Sequence, residues 1–518
     1  MNVHERNIRL IFGIKVKQFR QAKGFSFKSL SEKSGMSVSY LNEIEKGKKY
    51  PKTDKIIVLA RALGVSYDEL VSSQLDKRWQ PIVDLLNSDF FNSLPLHMFG
   101  LDILNILEII STAPAKINAF ISTVLKISRN YEMTREHFYF AALRSYQEMH
   151  NNYFEELEEE VEKAVEKFAF DLTPPVQRSQ IYDVLKDEYG YTIDRETLNQ
   201  YDSLKGFRSV FIEKTRRLLI NDTLTNTQKS FLLGKELAFN FLNLKERPHT
   251  SSMFRVSSFE EVLNNFKASY FSVALLLNRR MLLNDIGEVF GNATWEESDF
   301  LAVMNKYHAS PEMFLHRMIS LMTHHYQIKD LFFIRLNNKL DDEQIRITKE
   351  LHLSQLHEPH RNELNEHYCR RWVSVRTLQE LKKMQLTPEL AEIAASTILG
   401  VASTIPSNGS TPPRSYLIDS QISSYSHSKK EYFCISIARG NDPTPNTNVS
   451  TTLGILMDAQ SKSKLRFLND PNIQKRIVNE TCERCGLTDC RERVSPPTHV
   501  EHMRQQELIE DVLAELNR

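Results

Sequence analysis

The sequence predicts a multidomain chain, mainly α with α+β parts, and three stretches carry that expectation. Residues 25–50 read as two short helices around a glycine turn. Beyond Pro174-Pro175 the apolar period shortens from that of helices to that of strands, and after residue 415 apolar and polar residues alternate until a tight cysteine cluster. A chain of 518 residues has room for three or four domains, and 41% hydrophobic content with 16 Gly and 18 Pro argues for ordered, helix-rich globules. No apolar run approaches the length of a membrane span, and there is no signal-peptide pattern. Five cysteines, three of them within nine residues, exclude a secreted disulfide framework, so the expected compartment is a reducing cytoplasm.

The head comes first, over residues 1–72. An amphipathic helix with Ile11, Ile14 and Phe19 on one side precedes a short helix capped by Ser26, with Leu30 inward. Gly35 breaks it, and Ser37 caps a second helix whose Val38, Leu41 and Ile44 are expected to face inward. Two helices joined this way form the helix-turn-helix plan, in which the second helix enters the major groove of double-stranded DNA. Ser37, Ser39, Tyr40 and Asn42 are the candidates for base edges; Lys46, Lys48 and Lys49 are the candidates for phosphates. Residues 1–73 hold 14 Lys+Arg against 7 Asp+Glu, a net +7 in a chain that is neutral overall, which is the electrostatic footprint of phosphate binding.

Residues 73–172 read as a helical connector. LHMFGLDILNILEII and KINAFISTVLKISRNY are helical, and Phe154, Leu157, Val161, Ala164, Val165 and Phe168 form a later apolar stripe. Glu155 to Glu162 read as its solvated acidic side, a dimer-forming helix being the alternative. Residues 173–350 are expected to be α+β: short strands at 191–193, 209–212 and 217–221, a helix from Thr227, a second helix, FKASYFSVALLLN, and further helices to Gln327. The histidines scattered there and beyond, His316 among them, read as surface or capping residues. Residues 351–498 open with a helical stretch. After the loop STIPSNGSTPPRS they become strands of an antiparallel sheet with one solvated face. Residues 499–518 are a short amphipathic helix.

Cys482, Cys485 and Cys490 are the strongest chemical signal. Three thiols this close can converge on one metal centre, and thiolates select zinc or iron–sulfur iron; spacing alone leaves that choice open. Cys434 alternates with the aromatics of a strand and reads as core.

The head resembles the Xre/Cro-like, lambda-repressor-like five-helix domains through Gly35-Met36-Ser37, Ile44-Glu45-Lys46-Gly47 and Ala60-Arg61-Ala62-Leu63-Gly64-Val65; such domains usually carry Gln where Phe27 stands. That type of head points to a bacterium. The middle part resembles a zincin-like metallopeptidase domain with His-Glu-x-x-His on its first helix. The same five places here are Lys235, Glu236, Leu237, Ala238 and Phe239, a set without either imidazole, so a degenerate scaffold without peptidase activity is expected and Glu236 reads as an ordinary polar helix residue. The rival reading is a DNA-targeted, repressor-cleaving metallopeptidase. The whole layout resembles the short-chain fatty acyl-CoA regulator family through the cysteine triplet with Arg493 and Pro496-Pro497, Ile437-Ala438-Arg439, and Cys369-Arg-Arg-Trp372. The resemblance implies a homodimeric transcriptional regulator sensing a short-chain acyl-CoA. It further implies a [4Fe–4S] cluster on Cys369, Cys482, Cys485 and Cys490, structural zinc being the alternative. Arg370, Arg371, Arg439 and Arg466, the basic residues nearest these motifs, are the candidate ligand contacts.

Overall fold

The computed structural model describes residues 3–72, 135–251, 256–352, 366–386 and 416–517, apart from 427, 429, 441–443 and 445. The helices expected within 96–131 and 388–402 lie outside the described residues. The chain divides into two compact units, Met1–Tyr146 with Arg255–Phe259, and Gln147–Phe254 with Glu260–Arg518.

In the first unit, α1 (Val3–Ala22), α2 (Phe27–Ser34), α3 (Val38–Glu45), α4 (Thr53–Leu63) and α5 (Tyr67–Val71) enclose one core built from Phe12, Val16, Leu30, Leu41, Ile44, Leu59 and Leu63. The local signals act as their spacing implies. Ser26, Ser37 and Ser66 each accept a hydrogen bond from the backbone N–H three residues on, and Gly35 closes α2 at φ 66°, a conformation that a Cβ penalises. One expectation fails: Val38 is 45% exposed. Leu41 and Ile44 centre the buried stripe of α3, and at 100° per residue Val38 stands about a quarter-turn from that centre.

α6 (Arg135–Met149) comes next among the described elements, followed by α7 (Glu155–Phe168) and α8 (Arg178–Asp187). A three-stranded sheet follows, with β1 (Thr192–Asp194), β2 (Ser209–Ile212) and β3 (Arg217–Ile220) in the order β1-β3-β2, β2 at an edge. Then come α9 (Asn226–Phe241), α10 (Phe259–Leu276), α11 (Arg279–Gly291), α12 (Glu297–Lys306) and α13 (Pro311–His325). Thr225 and Gln228 form a reciprocal capping box that starts α9.

A six-stranded sheet dominates the rest. β4 (Leu331–Lys339), β5 (Ile345–His352), β6 (Leu417–Tyr425), β7 (Glu431–Gly440), β8 (Thr447–Leu456) and β9 (Lys475–Val478) are ordered β5-β4-β8-β7-β6-β9, all antiparallel except β9 beside β6. α14 (Val373–Leu386) precedes β6, α15 (Ala459–Lys464) follows β8, and α16 (Thr498–Leu516) closes the chain, exposed along its whole length.

Three expectations change here. The boundary drawn at residue 350 falls inside β5, because β4 and β5 pair through β8 into the sheet of the later strands. The solvated sheet face is not found in the central strands: β7 and β8 are buried nearly end to end. Trp372, Val375 and Leu378 cover one face beside Phe332, Tyr432 and Cys434, while Trp295, Phe467 and His316 cover Phe433 and Phe333 on the other. Third, Glu158 is not on a solvated face. It is 2% exposed and bonded through both oxygens to Arg317, with Tyr270 Oη donating at 2.8 Å.

Candidate functional site

α3 presents Ser39 fully, and Tyr40 and Asn42 in part, to solvent; Ser37, Lys46, Lys48 and Lys49 are exposed around them. Tyr40 packs its ring on the core while Lys55 Nζ stands 4.5 Å over it and Lys49 Nζ 5.8 Å away. Lys49 also pairs with Glu43 at 2.8 Å, which holds its ammonium pKa above the ordinary value. Beneath α3, Arg20 Nε and Nη2 donate to Glu45 at 2.6 and 3.0 Å, and the guanidinium lies 4.2 Å over Phe27. Phe27, the departure from the usual Gln, thus packs against α1 and the head core.

In the second unit a cavity of about 210 Å³ lies among α9, α10, α13 and the large sheet. It exceeds the roughly 150 Å³ of an apolar cavity able to take up benzene. Helical periodicity builds its walls: Phe231 and Leu232 from α9, Phe266, Tyr270 and Val273 from α10, and Glu312, Met313 and His316 from α13. The charged lining is unbalanced. Arg317 is neutralised by Glu158, which leaves Arg208, Lys349 and Arg439 facing Glu312 alone. Glu312 pairs with Lys349 at 3.1 Å and with Arg335, which is outside the lining, at 3.3 Å; these cations hold its carboxyl far below the ordinary range despite burial. Burial, with Lys349 nearby, pushes His316 down to about 3, and its Nε2 has no hydrogen-bond partner among the described residues. An anion with a short apolar part would be complementary to this lining.

Cys369 lies on the far side of the large sheet, just before α14, with Cys482 and Cys485 near it. Cys369 N donates to Glu480 O at 3.0 Å, Cys482 N to His367 O at 2.8 Å, and Tyr368 and Thr481 form an antiparallel bridge between them. Burial pushes the Cys369 thiol up to about 11, and Cys482 and Cys485 are near enough to push the same way. Arg493 gathers the loop by donating to the carbonyls of Cys482 and Cys485 at 2.8 and 2.9 Å. His367, two residues before Cys369, is bonded to Glu483 through both its backbone N and Nδ1. Cys490 is half-exposed at the end of the loop. Among the described residues no three His, Cys, Asp or Glu side chains are grouped as a metal ion requires. The donor chemistry suits a thiolate-bound metal and the backbone brings Cys369 to the loop.

The helix-turn-helix family model matches residues 16–70, and the model described as IrrE N-terminal-like domain, of the M78 peptidase type, matches residues 187–318. The uncharacterized HTH-type transcriptional regulator y4dJ of Sinorhizobium fredii is 35% identical over 66 residues, 13% of this chain and 86% of that protein. The chain belongs to the helix-turn-helix transcriptional regulators. This regulator is also 23% identical over 345 residues to a propionyl-CoA carboxylase regulator of Cereibacter sphaeroides, 64% of this chain and 69% of that one. A solved transcriptional regulator of Mycobacterium tuberculosis aligns at a TM-score of 0.46 with 16% identity, over 69% of this chain and 93% of that one. No described helix of the regulator is long and apolar enough to cross a membrane.

The regulator does not bring the four candidate arginines together. Arg439 faces α13 and lines the cavity, whereas Arg370 and Arg371 precede α14 on the other face of the sheet and Arg466 is exposed. A strand's two-residue period explains the split: Tyr432, Cys434 and Ser436 point to α14, and Phe433 and Arg439 point away. Sequence reasoning missed Arg208, Glu312, His316 and Lys349. For Glu312 and His316 the signal was present, since they stand four apart in a helix that starts with a Ser310 cap and Pro311. Glu236 is also corrected. It is 6% exposed and ion-paired with Arg247 at 2.7 Å, not an ordinary polar helix residue.

Proposed function

We propose that the protein is a cytoplasmic, homodimeric one-component regulator that binds an operator through α3 and reads a short-chain acyl-CoA in the cavity of its second unit, without enzymatic activity. The observation that carries the reading is the cavity itself, apolar at Phe231, Phe266 and Val273 and cationic at Arg208, Lys349 and Arg439. A thioester with a short chain and a polyanionic carrier has that dual chemistry. The Cereibacter sphaeroides relative is named as a regulator of a carboxylase whose substrate is a short-chain acyl-CoA, which supports looking in this ligand class. Ligand binding would bias a two-state equilibrium only if the two DNA-binding states take it unequally.

Cys369, Cys482, Cys485 and Cys490 are the proposed ligands of a [4Fe–4S] cluster, with zinc as the alternative. The antiparallel bridge between residues 368 and 481 supports this, because it brings the most distant thiol in sequence to the chain segment that carries Cys482. A bound cluster would tie the start of α14 to the final loop.

Thermal unfolding with acetyl-, propionyl- and butyryl-CoA tests the ligand. The midpoint rises with a short acyl-CoA, the rise shrinks in Arg439→Ala, and Val273→Trp, which fills the cavity, abolishes it. No rise with any of the three thioesters or with free CoA contradicts the assignment.

A further inference from the structure

The peptidase-type domain matched over residues 187–318 implies a metal ion on α9, and the residues of α9 do not fit one. At the first of the five motif places Lys235 Nζ donates to Asn265 Oδ1 at 2.7 Å. At the fifth, Phe239 offers only a ring. Both oxygens of Glu236 are engaged from within: Oε1 accepts from Arg247 Nη2 at 2.7 Å and Oε2 from Tyr191 Oη at 3.0 Å. The Arg247 guanidinium is clamped between two rings, 4.2 Å from the centroid of Phe211 and 4.0 Å from that of Phe239. Both ion-pair side chains are buried, at 10% and 8% exposure.

The segment that begins with Arg247 continues along the small sheet. β2 is the edge strand of that sheet, and its outer rim is already paired. Phe211 N donates to His249 O at 2.8 Å, Ser251 N donates to Ser209 O at 2.9 Å, and Val210 and Thr250 form an antiparallel bridge. Ser251 Oγ accepts from Arg208 N and Ser209 N at 2.8 and 3.1 Å. Left open, a rim of this kind is where an extended peptide adds to a sheet.

We propose that residues 247–251 are a resident pseudo-substrate: an extended, arginine-led segment of the chain's own that fills the peptide groove between β2 and α9. The Arg247 guanidinium supplies the positive charge beside Glu236 that a metal ion would otherwise supply. Removing it leaves the buried carboxylate without its paired guanidinium, while the strand pairing closes the rim to peptides from other chains. The groove is therefore self-occupied, and its opening would expose both a strand edge and an arginine-recognising carboxylate. This inference stands on the groove alone and is independent of the acyl-CoA reading.

Arg247→Ala in the full-length chain opens a guanidinium-sized gap. Its unfolding midpoint is expected to fall by roughly 5–15 °C. Millimolar methylguanidinium should restore part of the loss where equal methylammonium does not, and Arg247→Ala/Glu236→Gln should show no such selectivity. Equal responses to the two ions, or an unchanged midpoint in Arg247→Ala, overturn the proposal. Should that variant not fold, hydrogen exchange decides. The amides of Phe211 and Ser251 are expected to be protected in the wild type and to lose protection together in Arg247→Lys, with Leu218 in β3 unaffected. Free exchange of both amides in the wild type, or zinc bound in a Glu236-dependent manner, overturns it.

Discussion

Glu158 and Arg317 show how much one pair of charges can matter inside a helical layer. Both side chains are almost fully buried, and Tyr270 and the Leu277 carbonyl complete their hydrogen bonding. A buried pair of this kind is weak evidence of net stabilisation, but breaking it strands the partner's charge. Arg317→Ala should therefore cost about 3–5 kcal/mol in urea unfolding, whereas Glu158→Leu/Arg317→Met should cost much less. Equal losses would contradict the buried-charge account. The pair was legible in principle. Phe154, Glu158, Val161 and Val165 are spaced four, three and four, so the period puts Glu158 in the apolar stripe, but the run of glutamates around it hid the exception. His316 carries a pH signature. Its folded pKa is depressed from 6.5 to about 3 by burial and by Lys349, against the opposing pull of Glu312. Between those values the unfolded chain takes up a proton that the folded chain refuses, so stability falls as pH drops from 6.5 toward 3. His316→Gln should flatten that slope in unfolding measured across the window. The same slope in both proteins would contradict the burial.

At the scale of elements, those with local instructions were the legible ones. α2, α3 and α5 start where a serine caps them, and β1, β2 and β3 start within a residue of the expected positions. Of the six-stranded sheet, β6, β7 and β8 were legible in the alternation after residue 415, whereas β5 and β9 were not read as strands and the sheet as a whole was not legible. That β4 lies between β5 and β8, or β9 beside β6, is a long-range pairing no local window encodes. The cavity was invisible for the same reason, since its walls come from three helices and the sheet. On α3, Asn42→Ala should alter sequence preference, costing about 1–3 kcal/mol at the affected base pair, while Lys48→Ala should weaken all DNA alike and lower the salt slope by about one. Equal losses on specific and random duplexes for Asn42→Ala would remove it from the base contacts. At the cysteine cluster, Cys369→Ser should reduce iron retention in anaerobically purified protein and loosen the start of α14. Cys434→Ser, whose thiol burial pushes up to about 12 within the core cluster, should keep the iron. Unaltered iron content and visible spectrum in Cys369→Ser would exclude it from the site.

The whole molecule carries a basic helix-turn-helix unit and a second unit with a cationic, partly apolar cavity in a single chain. Regulation then requires a coupling free energy between the two events, and the coupling must be reciprocal: a ligand that alters DNA affinity is itself bound differently by the DNA complex. The most direct test is the dissociation constant of the full-length protein for an operator selected from random duplexes, measured by fluorescence anisotropy with and without propionyl-CoA. The account predicts a change of about five-fold or more, reduced in Arg439→Ala and absent in Val273→Trp. A constant unmoved by propionyl-CoA, acetyl-CoA and butyryl-CoA alike would contradict it.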